Sequence, residues 1–389
     1  MELEHLSQKT GLAKIQHLVF IAHTTTSREE ANAALKLALQ ETIKSTKNTA
    51  LYKQLGAVIT EQGHSIPLDE PWCEITNKNA RHQYEVIQEE LQRDRNNGIK
   101  EKIRLSHLDM GNLFFDIGEY VEAQKNFMKS KEYCTIPEHM VETCLQLAKV
   151  NWMLKNYGSV ESFCSKGLSE DPNNDEFQAF LGLCFLIKGR YEQAIDAFQK
   201  VNFISGKTMI NCAISINDIA RYGVICAVTS LSRPALVELS KNDNFREYLE
   251  LEPVYRDLLH MVTQLRYKEA TIQFKVLLDD LKLDCYAGPH VDKFVQKLKV
   301  LAVTSVFNAF EELQLSTVAD LIGEPLDKVL PHVENMILSG VLQARIDART
   351  GTVRKYLEKS EVDIHEVLAL VQLATLKSEN MGDRRSSIQ

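Results

Sequence analysis

Two stretches, Gly111–Phe127 (GNLFFDIGEYVEAQKNF) and Gly182–Phe198 (GLCFLIKGRYEQAIDAF), place the same residues at the same offsets. In each, Gly, Phe and Gly stand at the first, fourth and eighth positions, and Tyr, Ala and Phe follow at the tenth, thirteenth and seventeenth. Ala and Phe four apart share one helix face. The small residue lets a neighbouring helix approach, and the ring fills the space beside it. The second glycine supplies a tight turn between two helices. The stretch therefore reads as helix, turn, helix. Its repeat-core residues are Gly111, Tyr120, Ala123 and Phe127 in the first copy and Gly182, Tyr191, Ala194 and Phe198 in the second.

Working outward, Tyr267, Ala270 and Phe274 form a third copy, with Leu258 and Leu265 at the glycine positions. Tyr157, Val160 and Cys164 form a degenerate copy between the first two, and Pro172 falls where such a unit ends. The pattern resembles the tetratricopeptide repeat, a helix pair of 34 residues that stacks into an array with a concave face for partners. Some arrays of this kind clamp a C-terminal carboxylate with Lys and Asn on the first helix. Here those positions hold Leu108 and Asn112, then Ala179 and Leu183. The lysine is missing, which excludes that clamp. Upstream, helices are expected near Ser27 to Leu55 and Ala80 to Leu108, separated by a loop from Gly63 through Pro71-Trp72.

Composition agrees with a helical array. Only 17 Gly and 9 Pro occur in 389 residues, against an average share for the two together of about 12%. Hydrophobic residues make up 44% and charged residues 25%, the balance of a chain with a full core rather than a disordered one. The net charge of -8 excludes a chain that binds nucleic acid by bulk electrostatics. The eight cysteines show no Cys-x-x-Cys pair and read as reduced, mostly buried thiols of an intracellular protein. Leu18 to Ala22 is too short an apolar run for a signal peptide, and nothing is long enough to span a membrane.

From about Lys293 the pattern changes. One helix carries Phe294, Leu298, Leu301 and Val306, and a short helix follows with Ser316 as its expected N-cap. A third runs from about Pro325 to Leu338 and stops at Gly340. Strands are expected at Val341 to Ile346 and Thr352 to Tyr356, joined by a glycine-containing loop. Three helices and a hairpin make a winged helix. Many winged helices bind DNA, but the recognition-helix candidate carries Lys328 against Asp327 and Glu334, a poor charge for meeting phosphates. The hairpin is more basic, with Arg345, Arg349, Arg354 and Lys355. The reading preferred to nucleic-acid recognition is that the hairpin edge pairs with another protein through Leu342, Gln343, Ala344, Arg345, Ile346, Thr352, Val353 and Arg354. Beyond it, Ile364, Val367, Leu368, Leu370, Val371 and Ala374 form an apolar helical stripe that must be covered, by the chain itself or by partner helices. A disordered tail is expected from Met381.

No enzymatic constellation emerges. The 11 histidines include no His-x-His and no His-Glu-x-x-His, so neither zinc-protease pattern is present. Ile204 to Thr208 ends like a phosphate loop but lacks the leading glycine, which is Val201. Cys285 and His290 are a lone pair, and a cysteine packed in a helix is the expected setting; His107 and His139 read as ordinary helix residues. Catalytic residues, cofactors and metals are all expected to be none.

A helical-repeat array ending in a winged helix resembles the PCI class, shared by the proteasome lid, the COP9 signalosome and a translation initiation factor. Five segments are similar to the subunit 1 family of the signalosome: Asn97–Arg104, Leu108–Gly111, Leu249–Asp257, Leu281–Tyr286 with Pro289-His290-Val291 after it, and Leu338–Asp347. The similarity runs from about Gly11 to the wing; the start is short for that family and the tail matches poorly. The resemblance implies a mainly α fold: 1–96 an N-terminal helical segment, 97–214 tetratricopeptide-like repeats, 215–292 the helical part of a PCI domain, 293–358 its winged helix, and 359–389 a bundle helix and tail. It implies a non-catalytic scaffold in an assembly that removes NEDD8 from cullin–RING ubiquitin ligases, in nucleus and cytoplasm. Its partners would be the second and third PCI subunits and a common helical bundle, with cullin–RING ligases met indirectly and no membrane. The alternatives are a proteasome lid scaffold or, in another class, a winged-helix nucleic-acid binder.

Overall fold

The computed structural model describes residues 9–25, 27–61, 67–203, 212–347 and 349–356. The chain divides into two compact units, Met1–Leu301 and Ala302–Gln389.

The first unit begins with three helices, α1 (Gly11–Thr24), α2 (Arg28–Ser45) and α3 (Thr49–Glu61). The long helix expected from Ser27 to Leu55 is two, because Asn48 turns the chain: its Oδ1 accepts from the Leu51 N–H at 2.9 Å, and the Lys47 N–H donates to the Asp116 carbonyl. Leu18, Ile21, Leu35, Leu39, Tyr52 and Ile59 pack into one core between these helices. Helix α4 (Glu70–Asn97) opens on Asp69, whose side chain accepts from Trp72 N–H, so Pro71-Trp72 lies in the first helical turn and not in a loop. Proline is suited to that turn because its missing N–H would have no partner there. Gly98, at φ +66, ends α4 and separates it from α5 (Lys100–Ile117).

The array continues with α6 (Tyr120–Glu132), α7 (Pro137–Met153), α8 (Tyr157–Glu170), α9 (Asp175–Ile187), α10 (Tyr191–Phe198), α11 (Ile216–Ser230), α12 (Arg233–Lys241), α13 (Asp243–Leu251), α14 (Pro253–Thr263) and α15 (Tyr267–Lys282). Four of the hairpins share one turn. Gly118, Lys155, Gly189 and Leu265 all have positive φ, each two residues before the tyrosine of its copy. In each, the next N–H reaches back five residues, Glu119 to Phe114, Asn156 to Asn151, Arg190 to Phe185 and Arg266 to Met261, at 2.8–2.9 Å. This is the Schellman closure of a helix C-terminus. Lys155 and Leu265 thus adopt the glycine conformation without being glycine. Within the first and third of these hairpins, a Cβ on Gly111 would meet the Phe127 ring at 2.5 Å, and one on Gly182 the Phe198 ring at 2.5 Å. Ala148 takes the glycine position of the degenerate copy, where the smaller Cys164 replaces Phe.

After a 3-10 turn (Gly288–His290), α16 (Val291–Ala309) leads into the second unit. There β1 (Glu312–Gln314), α17 (Leu315–Ile322), α18 (Leu326–Leu338), β2 (Ala344–Asp347) and β3 (Thr352–Lys355) complete a winged helix with antiparallel strand order β1-β3-β2. The short β1 was not expected. It draws the chain into the sheet, the Leu315 N–H donates to the Gly351 carbonyl at 2.9 Å, and the cap position falls to Gln314, with Ser316 in the first turn of α17. The buried side of α16 in this unit runs through Ala302, Val303 and Phe307, with Val306 only half-buried. Strand β2 starts at Ala344, not Val341. Gly340, at φ +74, closes α18 through a Leu342 N–H bond to the Met336 carbonyl. The stripe from Ile364 to Ala374, the tail, and Ile204 to Thr208 lie outside the described residues.

Two opposite effects are expected at the turns and in the cores of the hairpins. Leu265→Gly and Lys155→Gly should each raise stability by about 1 kcal/mol, by relieving a left-handed backbone. Gly111→Ala should lower it by about 1–3 kcal/mol, since the Phe127 ring must move. Urea denaturation of the full chain checks both signs.

Candidate functional site

The interaction candidates read from the sequence divide by strand. Strand β3 is central: Val353 lies between Leu313 of β1 and Ile346 of β2. Its backbone is used on both sides, so Thr352, Val353 and Arg354 have no free edge to offer. Among the described residues, the sheet's two outer edges are β1 and β2; the edge within the hairpin is β2, with Ala344, Arg345 and Ile346 along it. Leu342, Ala344, Thr352 and Val353 are buried, whereas Gln343, Arg345 and Arg354 are exposed. The hairpin cations are largely engaged. Arg345 stacks over the Tyr356 ring at 4.3 Å, Arg354 pairs with Glu312 at 3.0 Å, and Lys355 donates to the Asn308 carbonyl at 2.9 Å. At the tip, Asp347 accepts from the Arg349 N–H at 2.9 Å, which with Thr350 holds its carboxyl below the usual range.

Helix α18, in the recognition position, presents apolar side chains to solvent. Leu326 is 53% exposed and Leu338 85%, and Leu330 is also exposed. Phosphate contact needs Lys and Arg; exposed leucines instead favour a protein surface.

The first unit contains a polar network that sequence spacing did not reveal. Lys9 and Asp218 form an ion pair at 2.5 Å, both 1% exposed. Burial pushes the Asp218 carboxyl up, but the charges of Lys9 and Arg221 outweigh it and hold the group below its ordinary range. Asp218 also accepts from the Ser215 N–H and caps α11. Arg221 pairs with Glu252 at 2.8 Å. Nearby, Tyr222 donates from its hydroxyl to Asp284 Oδ2 at 2.8 Å. Asp284 Oδ1 accepts from the Tyr286 and Ala287 N–H groups at 2.9 Å each. Cys285 therefore sits in a turn, not in a helix, and its neighbour is His17 of α1 at 3.4 Å. His290 instead meets the Tyr191 hydroxyl at 3.0 Å. All eight cysteines are free, and six are buried; Cys134 and Cys285 are half-buried. No helix among the described residues is long and apolar enough to cross a membrane.

The described residues form a helical-repeat array followed by a three-helix, three-strand winged helix. The PCI domain family matches residues 254–355, and the family "26S proteasome subunit RPN7" matches residues 69–239. Over nearly its whole length the chain is similar to COP9 signalosome complex subunit 1. It is 29% identical to that of Arabidopsis thaliana, covering 94% of this chain and 87% of the relative. It is 25% identical to that of Emericella nidulans, covering 94% and 78%, and 24% identical to that of Schizosaccharomyces pombe, covering 98% and 94%. The C-terminal region of the chain is a PCI domain, and the chain resembles signalosome subunit 1 beyond that domain.

The buried ion pair gives a testable energy. Asp218→Ala strands the Lys9 ammonium and should cost about 3–5 kcal/mol. Lys9→Met combined with Asp218→Leu should cost much less than the single change. Thermal and urea unfolding of the three proteins measure the difference. Acid should weaken proteins that keep Asp218 more than those that lack it, since Asp284 titrates in all of them. The stabilising share of Asp218 is present above the ordinary aspartate value of 3.8 and is lost as pH falls through the lower folded value.

Proposed function

We propose that the chain is a non-catalytic scaffold subunit of a COP9-signalosome-type assembly, supporting removal of NEDD8 from cullin–RING ubiquitin ligases. The observation that carries this reading is the similarity to COP9 signalosome complex subunit 1 along 94–98% of the chain in three relatives. The match to the proteasome family is confined to residues 69–239, so a lid subunit is the second reading. A nucleic-acid reader is disfavoured by the engaged hairpin cations and the exposed leucines of α18.

In the proposed assembly, the repeats and PCI domain position other subunits, and the metalloprotease chemistry belongs elsewhere. The open side of β2 is offered to a neighbouring PCI subunit by strand addition, since unpaired N–H and C=O groups along an edge are ready acceptors of another strand. The second and third PCI subunits are the proposed neighbours. The apolar stripe of Ile364, Val367, Leu368, Leu370, Val371 and Ala374 is proposed to join the common bundle, because such a face is unstable in water.

Tagged chain recovered gently from its native cells should bring PCI subunits, a metalloprotease subunit and cullins. Recovery of proteasome ATPases and lid proteins would move it to the second reading. Val367, Leu368 and Val371 changed together to Glu should release the subunit, and stable incorporation of that triple variant would sink the bundle assignment. Neutralising Arg345, Arg349, Arg354 and Lys355 should leave incorporation nearly unchanged. Nucleic-acid binding would instead weaken and lose part of its salt slope.

A further inference from the structure

We propose that His17, Asp284 and Cys285 form a binding site for one borderline-soft divalent cation, zinc foremost, with water in the fourth position. The site goes beyond the scaffold reading and does not depend on it.

The geometry comes first. His17 Nε2 lies 3.4 Å from Cys285 Sγ and 3.4 Å from Asp284 Oδ2, and one ligand atom from each residue falls within 4.8 Å of the others. Zinc bonds of about 2.0–2.3 Å to N, O and S, arranged tetrahedrally, require ligand–ligand edges of about 3.3–3.6 Å. Both edges at His17 already have that length. The donor set of imidazole, carboxylate and thiolate suits zinc better than magnesium or calcium, which take oxygen ligands.

Each ligand is held from behind. His17 Nδ1 donates to the Ala13 carbonyl at 2.9 Å, which leaves Nε2 as the nitrogen free to ligate beside Asp284 Oδ2. Cys285 Sγ lies against the ring, 3.5 Å from Nδ1 and 3.4 Å from Nε2, so a bound ion needs a small turn of the thiol toward Nε2. A partner on the second ring nitrogen is the usual support of a metal-bound histidine. Asp284 Oδ1 is occupied by two backbone N–H groups, so Oδ2 is the oxygen turned to the cluster. The turn that presents Cys285 is tight. The Gly288 N–H donates to the Asp284 carbonyl at 2.8 Å, and a Cβ on Gly288 would meet the Lys282 carbonyl oxygen at 2.9 Å. Histidine and aspartate are nearly fully buried, while Cys285 lines a cavity of about 1080 Å³ together with Gln16 and Tyr286. That cavity gives an ion a route in and gives the fourth position its water.

Charge supplies an independent argument. The adjoining network sets Lys9 and Arg221 against Asp218, Asp284 and Glu252, leaving one negative charge over. A dication bound with a cysteine thiolate adds one positive charge and closes the balance.

The test uses the full-length chain, stripped with EDTA and then given one equivalent of zinc, or of cobalt as a spectroscopic probe. Zinc should abolish iodoacetamide labelling of Cys285, mapped by mass spectrometry, and leave labelling of the equally half-buried Cys134 unchanged. Cobalt should produce a thiolate-to-metal charge-transfer band that is lost in Cys285→Ser and kept in Cys73→Ser. Equal labelling of Cys285 with and without zinc, or a cobalt spectrum free of thiolate absorption, would overturn the site. The labelling readout needs no variant, so a misfolded mutant cannot obscure it.

Discussion

The closeness of helices within each hairpin is the constraint on which the array depends. Where Gly111 faces Phe127 and Gly182 faces Phe198, the helices approach until an added Cβ would overlap an aromatic ring. That approach needs the chain to reverse in very few residues, which the left-handed turn two residues before each tyrosine provides. The turn's own amides also bond back to the last carbonyls of the first helix, which would otherwise lack partners. A pair closed in this way exposes one continuous apolar face, and the next pair covers it. The tolerance of Lys155 and Leu265 in that turn shows that packing around it outweighs a local backbone penalty of about 1–2 kcal/mol.

The winged helix follows a different rule, set by which backbone groups remain unpaired. Strand β1 occupies one side of β3 and β2 the other, so among the described residues the sheet's outer edges are β1 and β2, and the hairpin's own edge is β2. Positive charge on the hairpin is spent on Tyr356, Glu312 and a carbonyl. The recognition helix is apolar where a DNA reader would be basic. Edge and leucines together are suited to protein assembly, the role that similarity to signalosome subunit 1 supports.

The polar network beneath α1 joins residues far apart in the chain. Tyr286 donates to Gln16, Asp284 is reached by His17 and Tyr222, and Lys9 is buried against Asp218. A helical array holds neighbours to neighbours; this cluster instead fastens the first described helix to the loop after α15. Directional polar bonds in a low-dielectric interior fix one arrangement where apolar faces alone would tolerate sliding.

The repeats, the order of helices and the wing were legible in sequence because their signals are local. A glycine, a tyrosine, an alanine and a phenylalanine at fixed offsets lie within two helices, and helix geometry converts offset directly into contact. Proline in the first turn of α4 and the strand β1 were misread or missed, since each depends on what the neighbouring chain offers. The same limit hid His17, Asp284 and Cys285. The histidine is 268 residues from the cysteine, so no spacing rule connects them, and Cys285 taken alone suggested a packed helical thiol. The sequence determined which helices pair and which faces are apolar. Only the tertiary structure decided which polar groups share an interior, because burial brings distant residues to one place and obliges their charges to be balanced there.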